Sequence, residues 1–158
     1  MQTHRDYFNT LAPEWDERMG DIPGIRHHLD AFGVSRGEYV LDIGAGTGRL
    51  AVHLCSLAGC DGLVVAQDLA EEMLRTGKRK TGSAPAWLCD NAACLALRSA
   101  SFDKVICFSA FPHFLDKGKA LAEMARVLKP GGKLLVLHAD SSTRLNEFHA
   151  GLPEPVCY

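Results

Sequence analysis

Val40-Leu41-Asp42-Ile43-Gly44-Ala45-Gly46-Thr47-Gly48-Arg49-Leu50 is the stretch whose reading decides the fold. A short apolar run carries Asp42 and is followed by glycines at every second position, Gly44, Gly46 and Gly48. The run reads as a buried strand and the residues from Arg49 to Leu57 as a helix. A strand, a glycine turn and a helix start make a place where a ligand approaches the backbone closely. Glycine removes the Cβ that would stand in the way and permits positive φ, and the helix start offers N–H groups without intrahelical partners. The dinucleotide fingerprint Gly-x-Gly-x-x-Gly has different spacing. Here the third glycine comes one residue early and an acid stands two residues before the first.

Working outward, strand and helix signals alternate. Helical segments are expected over Tyr7 to Met19, interrupted near Pro13, and over Gly24 to Phe32. Strands are expected at Tyr39–Ile43, Leu63–Gln67, Ala86–Cys89, Lys104–Phe108 and Lys133–His138. Helices are expected at Gly48–Leu57, Ala70–Lys78, Lys117–Leu128 and Ser142–His149, with a polar loop from Lys78 to Ala84. This alternation predicts an α/β fold, a doubly wound, mostly parallel sheet with helices on both faces. With 158 residues the chain suits one domain: a helical cap over residues 1–35, a core over 36–140 and a tail over 141–158.

Composition narrows the function classes. Hydrophobic residues make up 47% and charged residues 23%, with net charge −2 and pI near 6.4. That balance gives no electrostatic case for nucleic acid or an acidic membrane. No run reaches the ~18 apolar residues of a membrane span, and the polar start Met1-Gln-Thr-His-Arg-Asp-Tyr7 lacks a signal-peptide core; a cytoplasmic protein is expected. Cys55, Cys60, Cys89, Cys94, Cys107 and Cys157 form no Cys-x-x-Cys pair and read as reduced thiols.

In an open α/β sheet ligands bind beyond the carboxyl ends of the strands. The strands here lead into Asp42 and the glycines, Gln67-Asp68, Asp90-Asn91-Ala92, Phe108-Ser109 and His138. Asp68 suits a ribose diol, as acids do in dinucleotide sites, and equally suits an N-cap of the helix that follows.

The turn resembles motif I of class I S-adenosylmethionine-dependent methyltransferases, Asp/Glu-x-Gly-x-Gly-x-Gly. Cys89-Asp90-Asn91-Ala92 with Ser101-Phe-Asp-Lys-Val105 resembles that family's Gly-Asp-Ala … Ser-Phe-Asp segment, with Cys89 in place of glycine. Leu121 to Leu135, with its Pro130-Gly-Gly turn, resembles the family's fourth helix and fifth strand. Asp6 to Arg18 is similar to the lead-in of the methyltransferase type 11, ubiquinone/menaquinone biosynthesis subgroup. The resemblance implies a Rossmann-like sheet of order 3-2-1-4-5 and methyl transfer from S-adenosylmethionine to a small-molecule acceptor, leaving S-adenosylhomocysteine. It places the cofactor against Asp42, Gly44, Ala45, Gly46, Gly48, Asp68, Leu69, Met73, Asp90, Asn91, Ala92, Phe108, Ser109 and Trp15, with Asp90 facing the adenine amino group. The Tyr7/Phe8/Trp15 stripe has core packing as its plainer reading.

In the loop after the fourth strand, His113 matches a position that is often histidine in the subgroup, and Phe111 and Phe114 are candidate pocket walls. His138 is the second catalytic candidate. A backbone hydrogen bond in a tight turn is the plainer role of His113. Imidazole and thiolate are good metal ligands, yet nothing in the spacing of His113, His138, His149 and Cys107 demands a metal, and none is expected. About twenty residues follow His138, too few for the family's sixth and seventh strands, so the chain reads as shortened and the edge of its fifth strand, Leu134 to His138, as a place for self-association. Two other readings remain at this point: a SAM-fold binding module without catalysis, and a nucleotide-dependent oxidoreductase.

Overall fold

The computed structural model describes residues 3–139. The expected helix Ser142–His149, the tail from Gly151 to Tyr158, and with them His149 and Cys157, lie outside the described residues. The N-terminal part folds as α1 (His4–Leu11), a 3-10 turn (Ala12–Glu14), α2 (Trp15–Met19) and α3 (Ile25–Phe32). The rest alternates: β1 (Tyr39–Ile43), α4 (Ala51–Ala58), β2 (Leu63–Asp68), α5 (Glu71–Thr81), β3 (Ala86–Cys89), β4 (Phe102–Phe108), α6 (Lys117–Val127) and β5 (Leu128–Leu137). The strands form one parallel sheet in the order β3-β2-β1-β4-β5.

Both faces of the sheet are covered, which is why the strands read as apolar runs. Neighbouring residues point to opposite faces. Val40, Val64, Ala66 and Ile106 meet Ile25 and Leu29 of α3 and Ala51, Leu54 and Ala58 of α4. Leu41, Ile43, Val65, Val105 and Cys107 meet Ala120, Met124 and Val127 of α6. A third cluster joins the N-terminal part to α5: Ala12, Ala70 and Met73 are buried, with Phe8, Leu11 and Trp15 packed on them.

Most expected boundaries move by one to three residues, β4 starting at Phe102 and α1 at His4 among them, and three shifts bear on the site. The helix after the glycine turn starts at Ala51, not at Gly48 or Arg49. Gly48 has φ +79°, outside the helical region, and a Cβ there would stand 2.5 Å from the indole of Trp87. The same indole edge lies 2.5 Å from the Cβ position of Gly77. The expected polar loop from Lys78 is helix up to Thr81. Lys78, Arg79 and Lys80 occupy the last turn of α5, where positive charge complements the helix dipole, and Gly82 ends it at φ +75°. The fifth strand begins at Leu128, opposite Phe102, and its register then jumps to Lys133 opposite Lys104, so that Pro130-Gly131-Gly132 bulges out of the ladder.

Candidate functional site at the carboxyl edge of the sheet

The carboxyl ends of the strands and the N-terminal helices enclose a cavity of about 1350 Å³. Its sheet-side wall includes Asp42, Gly44, Ala45 and Gly46 after β1, Gln67, Asp68 and Leu69 after β2, and Phe108 and Ser109 after β4. Asn91 and Ala92, Met73 of α5, Trp15, His113, Phe114 and His138 also border it. Most expected site residues are therefore gathered around one space.

The glycine turn is built for close approach. Gly44 and Gly46 have φ +69° and +57°. The space where a Cβ of Gly46 would project meets only the Nε1 of Trp15, at 3.5 Å, whereas a Cβ on Gly44 would fall 2.2 Å from the Cβ of Ala110. Gly46 thus faces the cavity, and Gly44 lets the turn lie against the loop after β4. Gly48 does not border the cavity and packs under Trp87.

Asp68 braces this turn. Its Oδ2 accepts the N–H of Gly46 at 2.8 Å and its Oδ1 accepts that of Ala70 at 2.8 Å. Burial raises the pKa of its carboxyl, and the N–H groups of Ala70 and Gly46 partly offset the rise. The N-cap position of α5 is Ala70, not Asp68, and it has no side-chain cap bond; the first turn is capped from a place that the sequence did not signal. Asn9 of α1 accepts the N–H of Glu72 through Oδ1 at 3.0 Å, so one helix caps another.

Asp42 is 1% exposed, and its Oδ2 has no hydrogen-bond partner among the described residues. Burial, with the nearby Asp68 carboxylate second, pushes its pKa up from 3.8 to about 8. Folded Asp42 therefore keeps a proton that the unfolded chain releases. The ligand-free protein is expected to lose stability as pH rises from about 4 toward 8, by about 1.4 kcal/mol per pH unit for one proton. Asp42→Asn should flatten that slope. Denaturant unfolding at pH 5 and pH 8 checks it, and equal slopes in the two proteins would show that Asp42 titrates normally.

Asp90 is placed differently from expectation. Its two carboxylate oxygens accept the N–H groups of Asn91 (2.8 Å) and Ala96 (2.7 Å), and Asp90 does not border the cavity, while Asn91, Ala92, Ala93 and Cys94 do. The wall begins one residue later than the resemblance suggested, because the Asp90 side chain turns back to close its own loop.

Other residues support this wall without having been singled out. Gln67 is 1% exposed; its Nε2 donates to the carbonyl of Asp90 at 2.5 Å, and its Oε1 has no partner among the described residues. Glu123 accepts the N–H of Leu95 at 2.7 Å, and Arg126 donates to the carbonyls of Leu95 (3.0 Å) and Leu97 (2.8 Å). The hydrogen bonds from Arg126 hold the Glu123 carboxyl down at about 2. Their spacing, three apart on a helix, was the available signal.

Of the remaining candidates, His113 lies in a 3-10 turn (Phe111–His113), its N–H donates to Ala110 at 3.0 Å, and Phe8 meets its ring edge-on at 5.1 Å and 75°. That bond belongs to the main chain of residue 113, and the residue also borders the cavity. Phe111 packs behind Phe114, rings 5.8 Å apart, and only Phe114 borders the cavity. Cys107 is fully buried in the sheet core, with its thiol pushed up to about 12 by burial, so it is no thiolate ligand. Among the described residues no three His, Cys, Asp or Glu side chains come together as a metal site, and no helix is long and apolar enough to cross a membrane.

Residues 41–136 match the Methyltransferase domain family. Among curated relatives, the ubiquinone/menaquinone biosynthesis C-methyltransferase UbiE of Francisella philomiragia is 42% identical over 142 residues, covering 82% of this chain and 56% of its own length. The UbiE protein of a Marinomonas species is 39% identical over the same coverage. The chain spans about half the length of these relatives. A SAM-dependent methyltransferase from Aquifex aeolicus superposes with a TM-score of 0.71 at 25% identity, over 85% of this chain and 72% of that one. These matches do not favour the binding-module or oxidoreductase alternatives.

Proposed function

The chain belongs to the class I S-adenosylmethionine-dependent methyltransferases, and from that premise we propose that it transfers a methyl group to a carbon of a small, hydroxyl-bearing aromatic acceptor. The observation that carries this reading is the cavity of about 1350 Å³. Sites for a single small ligand measure roughly 300–1,000 Å³, so this one has room for a donor and an acceptor together. Its chemistry is divided in the same way. The glycine turn, Asp42, Asp68 and Asn91 lie toward the β3-β2-β1 side, and His113 and His138 follow β4 and β5.

The first side fits the cofactor. Gly46 leaves open space, Asp68 holds the turn in shape, and the unpartnered Oδ2 of Asp42 suits a cationic N–H donor. Gly44, Ala45, Gly46, Asp68, Leu69, Met73, Asn91, Ala92 and Trp15 would hold the ligand. When bound, S-adenosylmethionine supplies a methyl group already activated on a sulfonium. The protein's part is alignment and the removal of one proton. An aromatic carbon becomes a nucleophile when the ring hydroxyl is ionised, and on this reading His113 and His138, which border the cavity, accept that proton. Phe8, Phe108 and Phe114 wall the space with apolar rings. The UbiE relatives are named for C-methylation in quinone biosynthesis, which makes a quinol-type ring the acceptor to test first. Incubation with S-adenosylmethionine and a panel of quinols and hydroxybenzoates should release S-adenosylhomocysteine and add one methyl to a ring carbon, read by mass spectrometry. Methylation on oxygen alone would overturn the carbon assignment.

Asp68→Ala removes the acceptor for two backbone N–H groups as well as the proposed ribose contact. S-adenosylhomocysteine binding should weaken by about 1–3 kcal/mol, and Asp68→Asn should lie between. Calorimetry decides it: unchanged affinity in Asp68→Ala would leave this residue a brace and nothing more. We further propose that β5, an edge strand among the described residues, pairs with a second copy of the chain. Sedimentation velocity should show concentration-dependent association, and a strictly monomeric chain would dismiss it.

A further inference from the structure

We propose that Asp16 is a positioning residue that fastens Trp15 over the glycine turn and so sets how long a ligand seated there stays bound. The proposal rests on the reading of that turn as the cofactor's seat. Trp15 and Asp16 open α2. Trp15 stands directly above Gly46, its Nε1 3.5 Å from the place a Cβ would occupy. The next residue anchors it. One carboxylate oxygen of Asp16 accepts the hydroxyl of Thr47, the residue between Gly46 and Gly48, and the other accepts the ammonium of Lys80 at 2.5 Å. Thr47 is only 3% exposed. A single side chain thus ties together α2, the glycine turn and the last turn of α5. Arg49 adds a second tie beside it, donating to the carbonyl of Gly20 and, at 3.5 Å, to that of Met19.

The geometry explains why these ties matter. With five residues, α2 is too short to persist by itself, so its orientation comes from what it touches. The contacts of Trp15 with Phe8 (rings 5.8 Å apart, 81°) and with buried Met73 and Ala12 are apolar; they favour burial without fixing direction. The hydrogen bonds of Asp16 are directional, and both engage charge, which makes them the stronger kind. A ligand leaving past Trp15 requires α2 to lift, and lifting α2 breaks the bonds of Asp16 to Thr47 and Lys80. Neither Asp16 nor Thr47 needs to touch the ligand for this.

Two measurements test it on the whole chain. Displacement of S-adenosylhomocysteine in stopped flow gives the dissociation rate. Fluorine NMR of 5-fluorotryptophan-labelled protein reports the two tryptophans, assigned with Trp15→Phe. Asp16→Ala and Thr47→Val should each speed dissociation about tenfold and move the Trp15 signal toward its solvent position, with the Trp87 signal in place. The double variant should dissociate no faster than Asp16→Ala, since both changes cut the same tie, and Asp16→Asn should restore part of the slow rate. Unchanged dissociation or an unmoved Trp15 signal in Thr47→Val would overturn the proposal, as would additive effects in the double variant; Thr47→Val carries the test if Asp16→Ala does not fold. If the unsubstituted chain shows no binding of S-adenosylhomocysteine, the seat itself is refuted and the tie with it. Binding that is retained while the rates stay level refutes the tie alone.

Discussion

Gly46→Val should reduce S-adenosylhomocysteine affinity at least about a hundredfold, about 2.8 kcal/mol, and leave a folded protein. Gly46 is the residue of the turn whose missing side chain faces the cavity, with only the indole nitrogen of Trp15 within reach at 3.5 Å. A branched side chain there occupies ligand space and presses on Trp15. It also meets φ +57°, a conformation that costs a β-branched residue about 1–2 kcal/mol. Gly46→Ala should fall between. The measurement is calorimetric titration beside a thermal melt, since the melt separates a blocked site from a lost fold. Full affinity in a folded Gly46→Val protein would take the glycine turn out of the binding site.

Gly44→Val is expected to do the opposite, harming the fold first. A Cβ at Gly44 would lie 2.2 Å from the Cβ of Ala110, and Ala110 belongs to the core packed around β4 and α6. Neither atom sits at the end of a flexible side chain, so the loop after β4 has to shift. Overpacking of this kind costs about 1–3 kcal/mol, and φ +69° adds about 1–2 kcal/mol. The sum, about 2–5 kcal/mol, is a large part of the stability of an ordinary domain. Because the displaced loop carries His113, any folded fraction should also misplace that histidine. Denaturant unfolding checks the loss, and a variant within about 0.5 kcal/mol of the parent would mean that the loop yields freely. Ala110→Gly should rescue part of the loss, as the collision is between these two Cβ positions.

The sequence carried the frame of this protein well, and the reasons are physical. β1 and β3 were readable to the residue because short apolar strands ended by polar or glycine turns have few alternatives. Boundaries failed where the turn conformation overrides the apolar pattern. Gly48 stands at φ +79°, outside α4 and under the indole of Trp87, and no local signal announces it. Asp90 and Asn91 are neighbours of similar polarity, and which one faces the cavity depends on Ala96, whose N–H draws the Asp90 carboxylate away. The buried Gln67, the cap from Asn9 and the tie from Asp16 to Thr47 span between 23 and 63 positions of sequence. Periodicity does not reach that far. The chemistry of the proposed acceptor was the least legible part, because the cavity walls come from α1, α2 and the loop after β4 together.

The indole of Trp87, lodged between Gly48 and Gly77, has a consequence for how this sequence can change over generations. Its ring edge fills the volume that a side chain at either glycine would need, 2.5 Å from both Cβ positions. A side chain at position 48 is barred while the tryptophan remains, and shrinking the tryptophan alone opens a hole in the core. Gly77 is held twice over, because its Cβ position also lies 2.5 Å from the carbonyl oxygen of Thr47. Positions 48 and 87 therefore form one heritable unit that passes through a less stable intermediate whichever member mutates first. In a library randomised at these sites, survivors with a side chain at position 48 should carry a smaller residue at position 87, and Gly77 should persist in both backgrounds.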